Sequence, residues 1–364
     1  ESDRLFACEL VKQLGIGKCP ETREFRRIDD ARQFVKSDGG SRKKWAFKAQ
    51  GGSSVDVSTT HLSDDTSHLL KILDFEEALA RTSSFVLQER INGIEISVEG
   101  WFHYKTGWVD PINSTLERKL LMPGDLGIAT GCMGSIVWGW PQPQPRLFKQ
   151  TLLQMTQWLT RHKYKGPIDG NFIIDYKDRQ PYFLEFTPRI GWNAFEAVMN
   201  GFSGNLGEFF VNFARGTGRK MGFTNTFMGA VRVYAPAHPN IPVEAPVRED
   251  PRLFPKDVWS KDRGKTLLTV GGETIPGHSV IFEATGNGAT VDEAMHEIYN
   301  DVIPQIQSID VMYRNDIGEK ANSDLEMLIN FGYIVEPFKR ERVISITVTN
   351  PEKVSEEFRT RQRR

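Results

Sequence analysis

Residues 169–187 read DGNFIIDYKDRQPYFLEFT, two apolar runs of strand length around a polar turn at Tyr176 to Gln180. That pattern predicts an antiparallel hairpin, and no other segment constrains the chain as tightly. Side chains alternate with period two, so Asp169 and Asn171 share one face of the first strand. Glu185 and Thr187 share one face of the second. The hairpin brings Asn171 opposite the Glu185 end. The second strand then breaks at Pro188 and presents Arg189.

Other segments add elements of both kinds. LFACELVKQL, residues 5–14, has a helical pattern with a glycine stop after it. WAFKA, residues 45–49, is a strand running into a glycine-serine loop. DFEEALAR, from Asp74, predicts a helix with an aspartate cap and an acidic first turn. FVLQERINGIEISVEGWFHY predicts two strands around a turn at Asn92-Gly93. In the second of them Ile94, Ile96 and Val98 alternate with Glu95, Ser97 and Glu99, giving one apolar and one polar face. Residues 122–136 are glycine-rich and predict a loop; RLFKQTLLQMTQWLTRH, from Arg146, predicts one amphipathic helix. GNLGEFFVNFARG predicts another helix, and the polar, glycine-rich GTGRKMGFTNT after it marks a domain boundary. Strands at MGAVRVYA, HSVIFEATG and RVISITVTN, with a helix capped by Thr290, predict a smaller α/β domain beyond it. The polar tail EEFRTRQRR is expected to be solvated or frayed. Helices mixed with hairpin-paired strands predict an α+β protein rather than one parallel doubly wound sheet.

Bulk properties exclude several classes of function. The chain has 364 residues, enough for two or three domains. A net charge of −1 offers no global attraction to nucleic acid or a membrane surface. No apolar run approaches membrane-spanning length. No signal peptide is visible, and the chain opens at Glu1, as a processed or trimmed piece would. Cys8, Cys19 and Cys132 have no metal-like spacing, so a reduced compartment, the cytoplasm, is the simplest reading. Oligomeric state is not legible.

The candidate site is assembled from scattered polar residues. A carboxylate ending an apolar strand is costly unless it is paired or binds a metal. Glu185 with Asn171 and Thr187 offers oxygen ligands of the kind Mg²⁺ takes, leaving positions for water and phosphate. Arg189 suits a phosphate or carboxylate, although a plain Glu185–Arg189 ion pair would use the same residues. Lys48, at a strand end beside GGSS, suits nucleotide phosphates, although a snorkelling surface lysine has the same pattern. Gln88, Glu89 and Glu95 flank a turn whose backbone can meet an adenine edge while a carboxylate takes ribose hydroxyls; an ordinary exposed hairpin is the alternative. The glycine run from Gly124 to Gly134 permits close backbone approach to a small substrate, or is a plain surface loop.

The order of these elements resembles the ATP-grasp superfamily, and more closely the phosphoribosylamine–glycine ligase family. FKAQGG resembles that family's VKADG, and QERINGIEISV its EEFLEGEEVSV. GDLGIATGCMG resembles GDKGPNTGGMG, and FLEFTPRIG resembles VLEFNARFG. MYRNDIGEKA resembles a stretch of its carboxyl-terminal domain. The resemblance implies an α+β, ATP-grasp fold: two α+β subdomains clasping ATP, with a smaller carboxyl-terminal α/β domain. It implies a central domain at 1–19 and 91–222, a lid at 20–90, and a carboxyl-terminal domain at 223–364.

By position, the resemblance implies ATP contacts from Arg4, Lys48, Gln88, Glu89, Ile91 and Glu95. It implies Mg²⁺ on Glu185, Thr187 and Asn171, and catalytic roles for Arg189, Lys48 and Lys119. It implies a substrate loop with Glu117, Gly131 and Cys132. The chain departs from the family at Thr187, where the family has asparagine, and at LERK (116–119), where the family has QDHK. The family's amino-terminal domain is not in this sequence. The implied activity is an ATP-dependent carboxylate–amine ligase that uses ATP and Mg²⁺ and forms an amide through an acyl phosphate. Its substrates would be a small carboxylate, glycine or another amino acid, and an amine. A divergent phosphoribosylamine–glycine ligase and a non-catalytic nucleotide-binding module are the alternatives.

Overall fold

The computed structural model describes residues 3–49, 60–76, 84–139, 145–189, 191–217, 222–223, 227–234, 244–246, 250–256, 258–261, 266–269, 280–306 and 311–334. Two antiparallel sheets dominate. The smaller has the order β1 (Thr22–Phe25), β4 (Phe85–Glu89), β2 (Trp45–Ala49), β3 (Thr60–Leu62). Its two central strands show why the sequence folds this way. Trp45 and Phe47 of β2, with Phe85 and Leu87 of β4, point to one face. There they pack on helices α2 (Ile28–Lys36) and α4 (Thr66–Phe75) through Ile28, Ala31, Val35, Leu69, Ile72 and Leu73. Period two sends Ala46, Lys48, Val86 and Gln88 to the opposite face.

The larger sheet has eight strands, all paired antiparallel. Its order is Leu253–Pro255, Val280–Gly288, Phe227–Tyr234, β7 (Leu126–Gly139), β6 (Gly107–Met122), β5 (Gly93–His103), β8 (Lys165–Asp175), β9 (Pro181–Thr187). The β8–β9 hairpin pairs Asn171 with Glu185 and Asp169 with Thr187, as its sequence predicts. Ile94, Ile96 and Val98 are buried as the alternation in β5 requires. The sheet continues without interruption past residue 223, the expected start of a carboxyl-terminal domain, because Phe227–Tyr234 pairs directly with β7.

Several local expectations are corrected. The glycine-rich run at 122–136 is not a loop but the hairpin of β6 and β7, turning at 123–125, where Gly124 and Asp125 take positive φ. Backbone pairing with β6 overrides the glycine content. Strands β4 and β5 do not form a hairpin with each other: they lie in different sheets, and Arg90 to Asn92 carries the chain across. A helix at Thr66–Phe75 is capped by Asp65, which accepts from the His68 amide, and most of the segment expected to be helical from Asp74 falls outside the described residues. Asp74 sits near the end of that helix, accepting from Arg32 of α2. The single helix expected from Arg146 breaks at Thr151, whose hydroxyl donates back to the Leu147 carbonyl. The helix capped by Thr290 is present. The glycine-serine loop after Lys48, the RVISITVTN strand and the tail fall outside the described residues.

Helix α1 (Arg4–Leu14) is pinned against the edge of β9. Gly15 caps it in the left-handed conformation. Then the Lys18 amide donates to the Pro181 carbonyl at 2.8 Å, and the Phe183 amide donates to the Lys18 carbonyl at 2.7 Å. Gly17 makes this approach possible: its φ is +63°, and a Cβ there would lie 2.6 Å from the Pro181 oxygen. Gly17→Ala is therefore expected to lower stability by about 2 kcal/mol or more, from left-handed strain plus displacement of β9. Chemical denaturation measures it, and an unchanged midpoint would refute the docking role.

Candidate functional site

The site is centred on Glu185, near the end of β9, and four elements bring cations to it. Arg4 comes from α1, with Nη2 3.9 Å from Glu185 Oε2. Lys48 comes from the inner face of β2, Lys119 from β6, and Arg189 from just beyond β9. Burial would raise the Glu185 pKa, but Lys119, Arg4, Lys48 and Arg189 together hold it below the usual carboxylate range. Glu185 is therefore ionised at neutral pH.

Lys119 ties this centre to β5. Its Nζ donates to Glu95 Oε1 at 2.5 Å and lies 3.5 Å from Glu117 Oε2. Burial opposes its charge, but Glu95, Glu117 and Glu185 outweigh burial and hold its pKa well above the ordinary lysine value. Opposite Lys119 the β6–β7 register slips, and Thr130 donates to the Lys119 carbonyl at 2.7 Å. The pKa of Glu117 is raised, first by burial.

Lys48 is 8% exposed and donates to Gln88 Oε1 at 2.7 Å. Gln88 in turn donates to Thr22 Oγ1 at 3.2 Å. Burial, reinforced by Arg4 and Lys119 and opposed by Glu185 and Glu95, lowers the Lys48 pKa to about 8. The residues around the β4–β5 crossing are placed differently. Glu89 is turned to Lys43, which also binds Glu21, each at 2.9 Å. Ile91 is half-buried in the three-residue crossing between sheets. Gly93, beginning β5, is pressed on β8, where a Cβ would meet the Ile174 carbonyl at 2.1 Å.

Asn171 and Thr187 are both buried beside Glu185. Asn171 Nδ2 donates to Asp169 Oδ2 at 2.8 Å and lies 3.4 Å from Thr187 Oγ1. With its nitrogen so engaged, Asn171 has its amide oxygen left to offer a ligand. Among the described residues no group of three or more His, Cys, Asp or Glu side chains is arranged to hold a metal. The donor set at Glu185 and Asn171 is instead one carboxylate and one amide oxygen. That suits Mg²⁺ that takes its other ligands from phosphate and water.

Gly131 and Cys132 lie in β7 rather than in a loop. Gly131 is exposed, with open space where a Cβ would stand. Cys132 is buried, its thiol donating to the Gly134 carbonyl at 3.3 Å, and burial raises its pKa. The polar face of β5 is buried rather than solvated: Ser97 is 4% and Glu99 8% exposed. Asp169, 6% exposed, completes that floor. The alternation in GIEISVEGW marks this face, but no sequence signal says that it is covered.

Comparison with known proteins places the geometry in a family. The model for the phosphoribosylglycinamide synthetase ATP-grasp (A) domain matches residues 2–193. Phosphoribosylamine–glycine ligase of Methanosarcina barkeri is 26% identical over 201 residues, covering 52% of this chain and 44% of that protein. The chain thus spans less than half the length of the curated relatives it matches. The crystal structure of phosphoribosylamine–glycine ligase from Thermotoga maritima superposes with a TM-score of 0.64 at 22% identity, covering 87% of this chain and 78% of that one. The biotin carboxylase domain of the Hydrogenobacter thermophilus 2-oxoglutarate carboxylase superposes at 0.57 with 13% identity, covering 92% and 75%; its crystals contain ADP, magnesium and bicarbonate. These structures share the fold. No helix among the described residues is long and apolar enough to cross a membrane.

The Lys48 environment makes a testable point. In the free protein Lys48 is charged below about pH 8 and loses its proton above it. ATP affinity is therefore expected to fall severalfold between pH 7 and 9, measured by calorimetry. Lys48→Arg, which stays charged throughout, should flatten that profile. An unchanged profile in the variant would remove Lys48 from the nucleotide site.

Proposed function

The chain belongs to the phosphoribosylglycinamide synthetase ATP-grasp (A) domain family, and from that premise we propose that it is an ATP-dependent carboxylate–amine ligase. The carrying observation is the convergence of Arg4, Lys48, Lys119 and Arg189 on one ionised carboxylate, Glu185. Cations drawn together from four elements suit the binding of a triphosphate.

ATP lies between the two sheets in this reading, with Lys48 on its phosphates and Gln88 orienting Lys48. Glu89, Ile91 and Glu95 meet the nucleoside at the crossing between the sheets, and Lys119 braces Glu95. Glu185 and Asn171 would hold Mg²⁺, with Thr187 acting indirectly through Asn171. Bound there, the ion would neutralise charge on the phosphates. A substrate carboxylate oxygen attacks the γ-phosphorus as the bond to the β-phosphate oxygen breaks, giving ADP and an acyl phosphate. Lys48 and Arg189 stabilise the charge on the transferring group. An amine nitrogen then attacks the acyl carbon, phosphate leaves, and the nitrogen gives up a proton. Glu117, Gly131 and Cys132 are assigned to the acceptor side, and the 20–90 subdomain to a lid that keeps water from the acyl phosphate. The acid is glycine or another amino acid; the names of the curated relatives favour the phosphoribosylamine–glycine pair as the second reading.

A hydroxylamine trap tests the proposal. The protein is incubated with ATP, Mg²⁺ and a panel of amino acids, and hydroxylamine replaces the amine. A hydroxamate formed with equimolar ADP is the expected result, and Glu185→Ala should reduce it at least a hundredfold. ATP binding with no hydroxamate from any acid would leave a nucleotide-binding module without catalysis.

A further inference from the structure

Two motifs far apart in the chain meet beside Lys119, and the ligase reading gives the second of them no task. GDLGIATGCMG, residues 124–134, spans the end of the β6–β7 turn and the first part of β7. MYRNDIGEKA, residues 312–321, is seated against it. Met312 exchanges backbone hydrogen bonds with Tyr234 in both directions, at 2.8 and 2.9 Å. Ile317 opens the helix Ile317–Asn330 and presses on β7: a Cβ on Gly134 would lie 2.8 Å from its Cδ1. Between these two anchors stands Arg314, its side chain fully buried.

The β6–β7 ladder is irregular at this point. Its register slips between Arg118 and Leu120, and again between Leu120 and Met122. A slip of this kind takes backbone groups out of the ladder, and they need other partners. Those partners come from elsewhere in the chain. Thr130 donates to the Lys119 carbonyl at 2.7 Å. Arg314 Nη1 donates to the Leu120 carbonyl at 2.9 Å. Arg118 Nη2 donates to Asp324 Oδ2, on the helix, at 2.6 Å. Residues 118, 119 and 120 are thus each held by a bond from outside the ladder.

Arg314 is itself fixed. Its Nε and Nη2 donate to the two Asp316 oxygens at 2.8 and 2.7 Å. Asp316 Oδ2 also accepts from the Gly124 amide at 2.9 Å. Arg314 Nη2 lies 3.0 Å from Asp125 Oδ1, and Lys320 binds the other Asp125 oxygen. Burial would raise the Asp316 pKa, but Arg314 and the Gly124 amide hold it below the usual carboxylate range. A buried ion cluster contributes little net stability, because desolvation offsets the Coulomb gain. What a planar guanidinium supplies is fixed geometry. Here it joins the residue after Lys119 to the tip of the hairpin.

From these bonds we infer that Arg314 and Asp324 are positioning residues for Lys119: they lock the irregular stretch of β6 so that the ammonium stays on Glu95 and beside Glu117. Calling this positioning catalytic rests on the ligase reading; the state of Lys119 does not. The test labels the full chain with acetic anhydride between pH 7 and 11 and follows Lys119 by peptide mass spectrometry. In the wild type Lys119 should react slowly, because its carboxylate partners hold its proton. Arg314→Gln and Asp324→Ala should each raise its acetylation rate at least fivefold and move its titration midpoint downward. Arg252→Gln, which breaks a similar cluster with Asp250 and Glu297, should leave Lys119 as in the wild type. Circular dichroism establishes that each variant is folded, and Asp324→Ala, which removes one ion pair, decides if Arg314→Gln does not fold. Lys119 labelling unchanged in the folded variants, or raised equally by Arg252→Gln, overturns the inference.

The hydroxylamine trap separates the two readings. Faster Lys119 labelling together with a tenfold lower hydroxamate yield in the same variants supports both. Faster labelling with no hydroxamate from any acid, in wild type and variants alike, refutes the ligase reading alone. A hydroxamate from the wild type with Lys119 labelling unmoved in the variants refutes the positioning role alone.

Discussion

A carboxylate near the end of a half-buried strand can stay ionised only if cations come to it. Glu185 depends on that condition, and much of the architecture meets it. Helix α1 must dock on β9 to deliver Arg4, and it does so through two backbone hydrogen bonds that only a glycine at position 17 permits. The small sheet must face the large one to deliver Lys48. Strand β6 must run long and break register with β7 to present Lys119. Each contribution comes from a different part of the chain, so the charge cluster is a property of the assembled protein.

The same geometry explains why the small sheet carries its chemistry on one face. Trp45, Phe47, Phe85 and Leu87 commit the other face to helices α2 and α4. A polar group could then survive only on the free side, where Lys48 and Gln88 lie and satisfy each other. The cost of burying Lys48 appears in its lowered pKa. The short crossing from β4 to β5 lets the two strands belong to separate sheets.

Much of this was legible in the residues. The hairpin at 169–187, its register, the strand at 45–49 and the apolar face of β5 all follow from period-two patterning with turn signals between. Collinear motifs carried the family. The glycine-rich run at 122–136 misled because glycine content signals a loop, whereas pairing with β6 decides the matter. The upstream helix at Thr66–Phe75, capped by Asp65, was not read from the sequence. MYRNDIGEKA was legible as a family motif but its contacts were not, because Arg314 stands 194 residues from Leu120.

The sequence by itself determined the strands at 45–49 and in the 169–187 hairpin, the apolar face of β5, and which motif positions carry charge. Those are local properties, set by alternation and backbone preference within a few residues. Only the tertiary structure decided that four cations meet at Glu185, that the polar face of β5 is covered rather than wet, and that Arg314 bonds to the backbone beside Lys119. Desolvation and Coulomb energies depend on distances between residues far apart in the chain, and those distances exist only once the two sheets have formed and packed.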